Sequence, residues 1–195
     1  MPPPEPHGKV ATRRTLLALR DAMTAADRAL ASAAICNTAN ALLATRLAPG
    51  EVVALYSAKG SEVDTARIDG FARRQGWGVA YPRVIAGTRR LAFHTVALDE
   101  LAASRFELHE PNPDAPGIEI ADIAAFVVPG LAFDRTGGRI GWGRGHYDAT
   151  FAASSPRALR IGLAYERQVI EHVAREAHDV AVHLIITEVS THMVV

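Results

Sequence analysis

Five short apolar runs divide this chain: VVALYS (Val52–Ser57), GVAYPRV (Gly78–Val84), IAAFVVPG (Ile123–Gly130), ALRIGLAY (Ala158–Tyr165) and AVHLIITE (Ala181–Glu188). Each is short enough to be a strand and is bounded by glycine, proline or charge. Between the first two, DTARIDGFARRQG predicts a helix that starts at Asp64 and stops near Gly76, which makes a β-α-β unit. The alternation continues and predicts a layered α/β domain. At 195 residues, 49% apolar, the chain can bury a full core most economically as one domain.

The remaining segments fit around that sheet. Leu16, Leu19 and Met23 recur at helical spacing in a first helix over Lys9–Met23, with Lys9, Arg13, Arg14 and Arg20 among them. Thr24 with Asp27 is a capping-box variant that opens a second helix through Leu42, ended by Pro49 and Gly50. RVIAGTRRLAFHTV predicts a hairpin turning at Gly87, an antiparallel addition to the sheet. ALDELAAS predicts one or two helical turns, and HEPNPDAPG an irregular loop. Further helices are expected from about Gly145 to Ala153 and near Glu166 to Val173. The stretch MPPPEPHG, residues 1–8, reads as a disordered lead before one domain over 9–195.

Charge excludes some partners. The 21 Lys and Arg balance 21 Asp and Glu, so no global field draws nucleic acid or an anionic membrane. Cys36 is the one cysteine, which excludes an intrachain disulfide and a cysteine-rich zinc site. No apolar run nears the roughly 18 residues of a membrane span.

Chemistry concentrates in RIGWGRGHYD, Arg139 to Asp148. Gly141, Gly143 and Gly145 lie between a strand and a helical pattern, where ligands of α/β sheets sit. Backbone N–H groups freed of Cβ crowding at a helix N-terminus make an anion nest, and Arg139 and Arg144 add fixed charge suited to phosphate. A β-turn or bulge whose glycines only relieve strain explains the cluster equally well. The pattern is neither a Walker loop nor the dinucleotide G-x-G-x-x-G, which disfavours a nicotinamide oxidoreductase.

The longer segment VVPGLAFDRTGGRIGWGRGHYD, Val127 to Asp148, closely resembles the signature of the 5-formyltetrahydrofolate cyclo-ligase (methenyltetrahydrofolate synthetase) family, P-G-L-A-F-D, a short turn, then R-L-G-x-G-x-G-Y-Y-D. KVATR, YSAKGSEVDT, AYPRV, FELHEP and REAHDV match other family segments in order, from Lys9 to about Glu188. The resemblance implies a three-layer α/β/α domain with a mostly parallel mixed sheet, CoA-transferase-like, in a cytoplasmic monomer that acts on small molecules. It implies use of ATP and Mg2+ to cyclise 5-formyltetrahydrofolate. By position it implies phosphate contacts from Lys9 and Arg13, a nucleotide loop of Arg139, Gly141, Trp142, Gly143, Arg144, Gly145, His146 and Tyr147, and Arg144 beside the transferred phosphoryl group. It further implies magnesium-associated Asp148 and Asp179, and folate contacts from Ser57, Glu62 and Phe106. Taken singly, Lys9 and Arg13 fit a solvated helix face, Asp148 a first-turn acid, Asp179 a loop cap, Glu62 a surface-turn acid and Phe106 a core aromatic. The chain departs from the pattern at Arg144, where many members carry lysine, at His146 for the first tyrosine, and at His183 for a common aspartate. Those departures keep open a second reading, a repurposed paralogue that binds nucleotide or folate without cyclising it.

Overall fold

The computed structural model describes residues 6–104 and 108–194, the first four by backbone alone. Its helices are α1 (Pro6–Asp21), α2 (Ala25–Ala44), α3 (Ala66–Arg74) and α4 (His146–Ala153). Its strands are β1 (Val52–Ala54), β2 (Gly78–Val84), β3 (Leu91–Thr95), β4 (Ala102–Ala103), β5 (His109–Glu110), β6 (Gly117–Ile118), β7 (Ile123–Val128), β8 (Ala132–Asp134), β9 (Arg139–Ile140), β10 (Leu159–Leu163), β11 (Val169–Ile170), β12 (Leu184–Ile186) and β13 (Thr191–Met193).

Eight strands form one sheet in the order β13-β12-β10-β7-β1-β2-β3-β6. The central five, β12, β10, β7, β1 and β2, run parallel. The flanks β13, β3 and β6 add antiparallel, and β2 and β3 form the expected hairpin, with Gly87 at φ +76° in its turn.

Alternation along the strands fills two cores. Val53, Val79, Val127, Ile161 and Ile186 point to one face, against Ile35, Ala39 and Leu43 of α2 and Ile68 and Ala72 of α3. Ala54, Ala80, Phe126, Val128 and Ile185 point to the other, against Phe151 of α4. Phe126 meets Phe93 and Phe151 edge-on at centroid distances of 5.7 and 5.8 Å, pairs that add about 0.5–1.5 kcal/mol each beyond their burial. The result is the three-layer α/β/α arrangement with a mostly parallel mixed sheet. Among the described residues, no helix is long and apolar enough to cross a membrane.

Local expectations hold where the chain carries its own signals. Thr24 caps α2, its Oγ1 accepting from the Asp27 N–H at 3.1 Å. They fail where tertiary contacts decide. The helix expected at Glu166–Val173 is instead a 3-10 turn, Glu166–Gln168, followed by β11. Gln168 is buried, and its amide nitrogen donates to the carbonyls of Gly130 at 2.9 Å and Leu131 at 3.2 Å, while β11 pairs with β8. These bonds replace those a helix would supply. ALDELAAS has one helical turn as expected, the 3-10 turn Leu98–Glu100, before pairing as β4, while the proline-rich loop after it contributes β6 to the sheet edge.

Candidate active site

Beyond the carboxyl ends of β1, β2 and β7 lies a cavity of about 520 Å³. Arg13 of α1, Ser57 and Glu62 after β1, Arg89 from the β2–β3 hairpin, Arg139 through Asp148 from β9 into α4, and Asp179 all line it. The side chain of Lys9 and the whole of Phe106 lie outside the described residues.

The glycine loop hangs between β9 and α4. Leu131 N–H donates to the Ile140 carbonyl at 2.7 Å, closing the β8–β9 hairpin that delivers Arg139. Gly143 at φ +83° and Gly145 at φ +67° are left-handed, a region that costs a residue with Cβ about 1–2 kcal/mol. A Cβ on Gly143 would also stand 3.1 Å from the Arg13 guanidinium. Gly145 is the N-cap of α4 and offers no side-chain acceptor, and the acid of the first turn is Asp148, so the N–H groups at the positive end of that helix face the cavity without a cap from Gly145. Arg13 Nε donates to the Gly141 carbonyl at 2.9 Å, tying α1 to the loop.

Arg139 is enclosed, its side chain 8% exposed, with Nη2 3.6 Å from Asp148 Oδ1 and the guanidinium 5.2 Å from the Tyr147 ring centroid. Burial lowers its pKa and the facing Asp148 opposes that, while burial pushes the Tyr147 phenol well up. Arg139 Nε is buried without a partner among the described residues. His146 Nδ1 faces the Arg89 carbonyl at 3.1 Å, so Nδ1 carries a hydrogen and donates, while Nε2 is buried without a partner among the described residues.

On the opposite wall, Glu62 is 9% exposed. Its Oε2 accepts from the Lys59 N–H at 3.0 Å and its Oε1 from the Trp142 indole N–H at 3.3 Å. Burial raises its pKa, against the Lys59 hydrogen bond and the Arg20 charge. The turn that carries it is fixed from within, Tyr56 hydroxyl to Val63 carbonyl at 2.7 Å and Thr65 hydroxyl to Tyr56 carbonyl at 2.8 Å.

Asp134 links the remaining wall to this one. It is 1% exposed, and its carboxylate accepts from Thr136 N–H, Thr136 hydroxyl, Gly138 N–H, Val173 N–H and Arg175 Nη2. Those donors outweigh burial and lower its pKa to about 2. One side chain thereby sets the turn leading to Arg139 and the strap of residues 173–179, which brings Glu176, His178 and Asp179 to the cavity. Asp179 Oδ2 caps the strap's turn, accepting from Glu176 N–H at 2.8 Å, and Asp148 Oδ1 accepts from Val180 N–H at 3.3 Å. Among the described residues, no three His, Cys, Asp or Glu side chains gather as a metal site.

Three results differ from sequence expectation. His183 does not line the cavity: its ring nitrogens face Arg160 N and Nη2 at 3.0 and 2.8 Å, between β10 and β12. Arg20, grouped above only as a helical cation, is 2% exposed and donates to Ser61 Oγ at 2.8 Å beside Glu62. Its signal was available, since it shares a helix face with buried Leu16 and Met23. Arg89 also enters the cavity, and nothing in its own stretch connects a hairpin arginine to the glycine loop.

A model of the 5-formyltetrahydrofolate cyclo-ligase family matches residues 6–188. Among curated proteins, the chain is similar to the 5-formyltetrahydrofolate cyclo-ligase of Mycolicibacterium smegmatis, 35% identical over 88 residues, 45% of each chain. It is also similar to the mitochondrial one of Arabidopsis thaliana, 34% identical over 94 residues, 40% of this chain and 34% of the relative. The matched stretches thus span less than half the length of these relatives. Among solved structures, 5,10-methenyltetrahydrofolate synthetase from Aquifex aeolicus superposes with a TM-score of 0.80 at 26% identity, over 95% of this chain and 92% of that one. The synthetase from Mycoplasma pneumoniae gives 0.77 at 23% identity over 92% and 98%, a likeness of fold.

Proposed function

Because the chain belongs to the 5-formyltetrahydrofolate cyclo-ligase family, matched over residues 6–188, we propose that it catalyses the ATP-dependent cyclisation of 5-formyltetrahydrofolate to 5,10-methenyltetrahydrofolate, releasing ADP and phosphate. One observation carries the reading: a single cavity joins a cationic glycine loop with the buried acceptor Glu62. The first suits a triphosphate, and the second suits the N–H groups of a pterin ring.

The chemistry explains why such a site suffices. The formamide carbon of the substrate resists attack because N5 donates into it and its oxygen leaves poorly. Transfer of the γ-phosphoryl group to that oxygen forms an O–P bond, releases ADP and leaves an iminium carbon. The substrate's own N10 attacks that carbon and loses its proton, and the C–O bond breaks to release phosphate. No enzyme nucleophile is needed, so the protein contributes position and charge. Arg144 neutralises charge at the transferring group, with Arg13 and Arg139 and the loop N–H groups holding the rest of the triphosphate. Lys9, four residues before Arg13 on α1, joins them in this reading, and Phe106 and Ser57 join Glu62 on the folate side.

Magnesium, when bound with the nucleotide, supplies further neutralisation of phosphate charge. Asp148 and Asp179 are the carboxylates that would hold it. A pair without a third protein ligand among the described residues fits an ion that keeps waters and phosphate oxygens in its shell. The same reading makes the protein a cytoplasmic monomer acting on small molecules, without a nucleic-acid or membrane partner.

The test mixes protein, 5-formyltetrahydrofolate, ATP and magnesium and follows the near-ultraviolet absorbance of the methenyl product. Product that requires both ATP and magnesium supports the reading. Folded protein that binds ATP and forms no product overturns it in favour of the repurposed paralogue.

A further inference from the structure

Trp142 stands apart from its neighbours in the glycine loop. It is large, apolar and 50% exposed, and it reaches across the cavity to the opposite wall rather than toward its own helix. Its indole N–H donates to Glu62 Oε1 at 3.3 Å, and Lys59 Nζ lies 5.8 Å from its ring centroid. The loop on which it rides has glycine on both sides, Gly141 and a left-handed Gly143, so small dihedral changes swing the indole without disturbing β9 or α4. Trp142 therefore connects the wall assigned to the folate with the loop assigned to the nucleotide.

We infer that Trp142 couples the two ligands by competing with the folate for Glu62. The inference rests on the reading that Glu62 accepts hydrogen bonds from the pterin. In the ligand-free protein the indole N–H occupies Oε1, and an incoming pterin must displace it. A triphosphate drawn onto Arg144 and the loop N–H groups pulls the loop toward the phosphates and withdraws the indole. Glu62, anchored independently through the Lys59 N–H, then stays in place to receive the substrate. Nucleotide binding thus raises folate affinity, and by linkage folate raises nucleotide affinity by the same factor.

The test is isothermal titration of 5-formyltetrahydrofolate into wild-type protein and into Trp142→Phe, each with and without magnesium and a non-hydrolysable ATP analogue. Phe keeps a ring and removes the N–H. Wild type should bind folate at least roughly fivefold more tightly when the analogue is present, the low end of ordinary coupling. Trp142→Phe should bind folate more tightly than wild type without the analogue, and the effect of the analogue should shrink toward none. Indole fluorescence of the wild type should also change when the analogue alone is added, since the other tryptophan, Trp77, is buried in the core. Equal folate affinity with and without analogue in wild type, or an analogue effect that survives unchanged in Trp142→Phe, overturns the coupling. Wild type that fails to bind formylfolate under any condition instead overturns the function on which it rests, and the two failures are told apart by that one titration.

Discussion

Asp134→Asn isolates the carboxylate that organises the turn before Arg139 and the strap behind Asp179. The wild-type group is lowered from 3.8 to about 2 in the folded protein. A depressed acid contributes stability that is present above its unfolded pKa and lost as pH falls through the folded one. The difference converts to about 2.5 kcal/mol at neutral pH, of which about half remains at pH 3. Asparagine keeps the shape but places an NH2 group against a donor, either Val173 N–H, which bonds Oδ2 at 2.8 Å, or the set around Oδ1. An unmet buried donor adds about 1–3 kcal/mol. The variant should therefore lose about 4 kcal/mol at pH 7, a fall in Tm of about 8–16 °C for a chain of this size. Urea unfolding at pH 7 and pH 3 gives the decisive comparison. The stability difference between wild type and variant should narrow by about 1 kcal/mol at the lower pH. A difference that is the same at both, or a loss at pH 7 below about 1 kcal/mol, refutes the account of Asp134 as a charge satisfied by many donors.

Arg144→Ala should lower turnover by roughly tenfold to a thousandfold, the upper end being that of a fully preorganised electrostatic donor, and steady-state kinetics showing near wild-type kcat would refute its role. Glu62→Gln should weaken 5-formyltetrahydrofolate by about tenfold or more, as for a lost charge-assisted bond, with little effect on ATP in parallel titrations. Because burial raises the Glu62 pKa, its carboxylate destabilises the fold as pH climbs through that window, so the Tm change made by this substitution should be more favourable at about pH 8 than at about pH 4; a change no more favourable at the higher pH would contradict this. Gly143→Ala should cost about 1–2 kcal/mol of local strain and crowd the Arg13 guanidinium, raising the KM for ATP several-fold while leaving that for folate near wild type.

The sequence displayed the parallel core plainly, because strands buried on both faces are written as unbroken apolar runs. Thr24, Gly87 and the glycine loop were legible for a related reason: each states a local backbone requirement. The strap was not. Residues 166–173 carry a helical spacing, yet Gln168 and Val173 spend their hydrogen bonds on Gly130, Leu131 and Asp134, residues more than thirty positions away. His183 appeared to alter the site because it stands where the resembled family commonly carries aspartate, whereas here it lies just before β12 and faces Arg160. Arg89 shows the limit most clearly, since only the hairpin's fold brings it over Gly145.

The seat of α1 has a consequence for how the protein assembles as it is made. This helix packs on β8 and on the 3-10 turn at Glu166–Gln168, and Arg13 bonds a carbonyl 128 positions later. The middle of the sheet also waits, since β1 pairs with β7 about seventy residues downstream. During synthesis, then, α1 leaves the ribosome before any part of its docking surface exists, and β1 keeps one edge open until β7 emerges. Such distant pairings slow folding and lengthen the exposure of unpaired edges. The helix that carries Arg13 can dock only after β8 and the turn at Glu166–Gln168 have been made, so the end of the cavity proposed for phosphate is completed late.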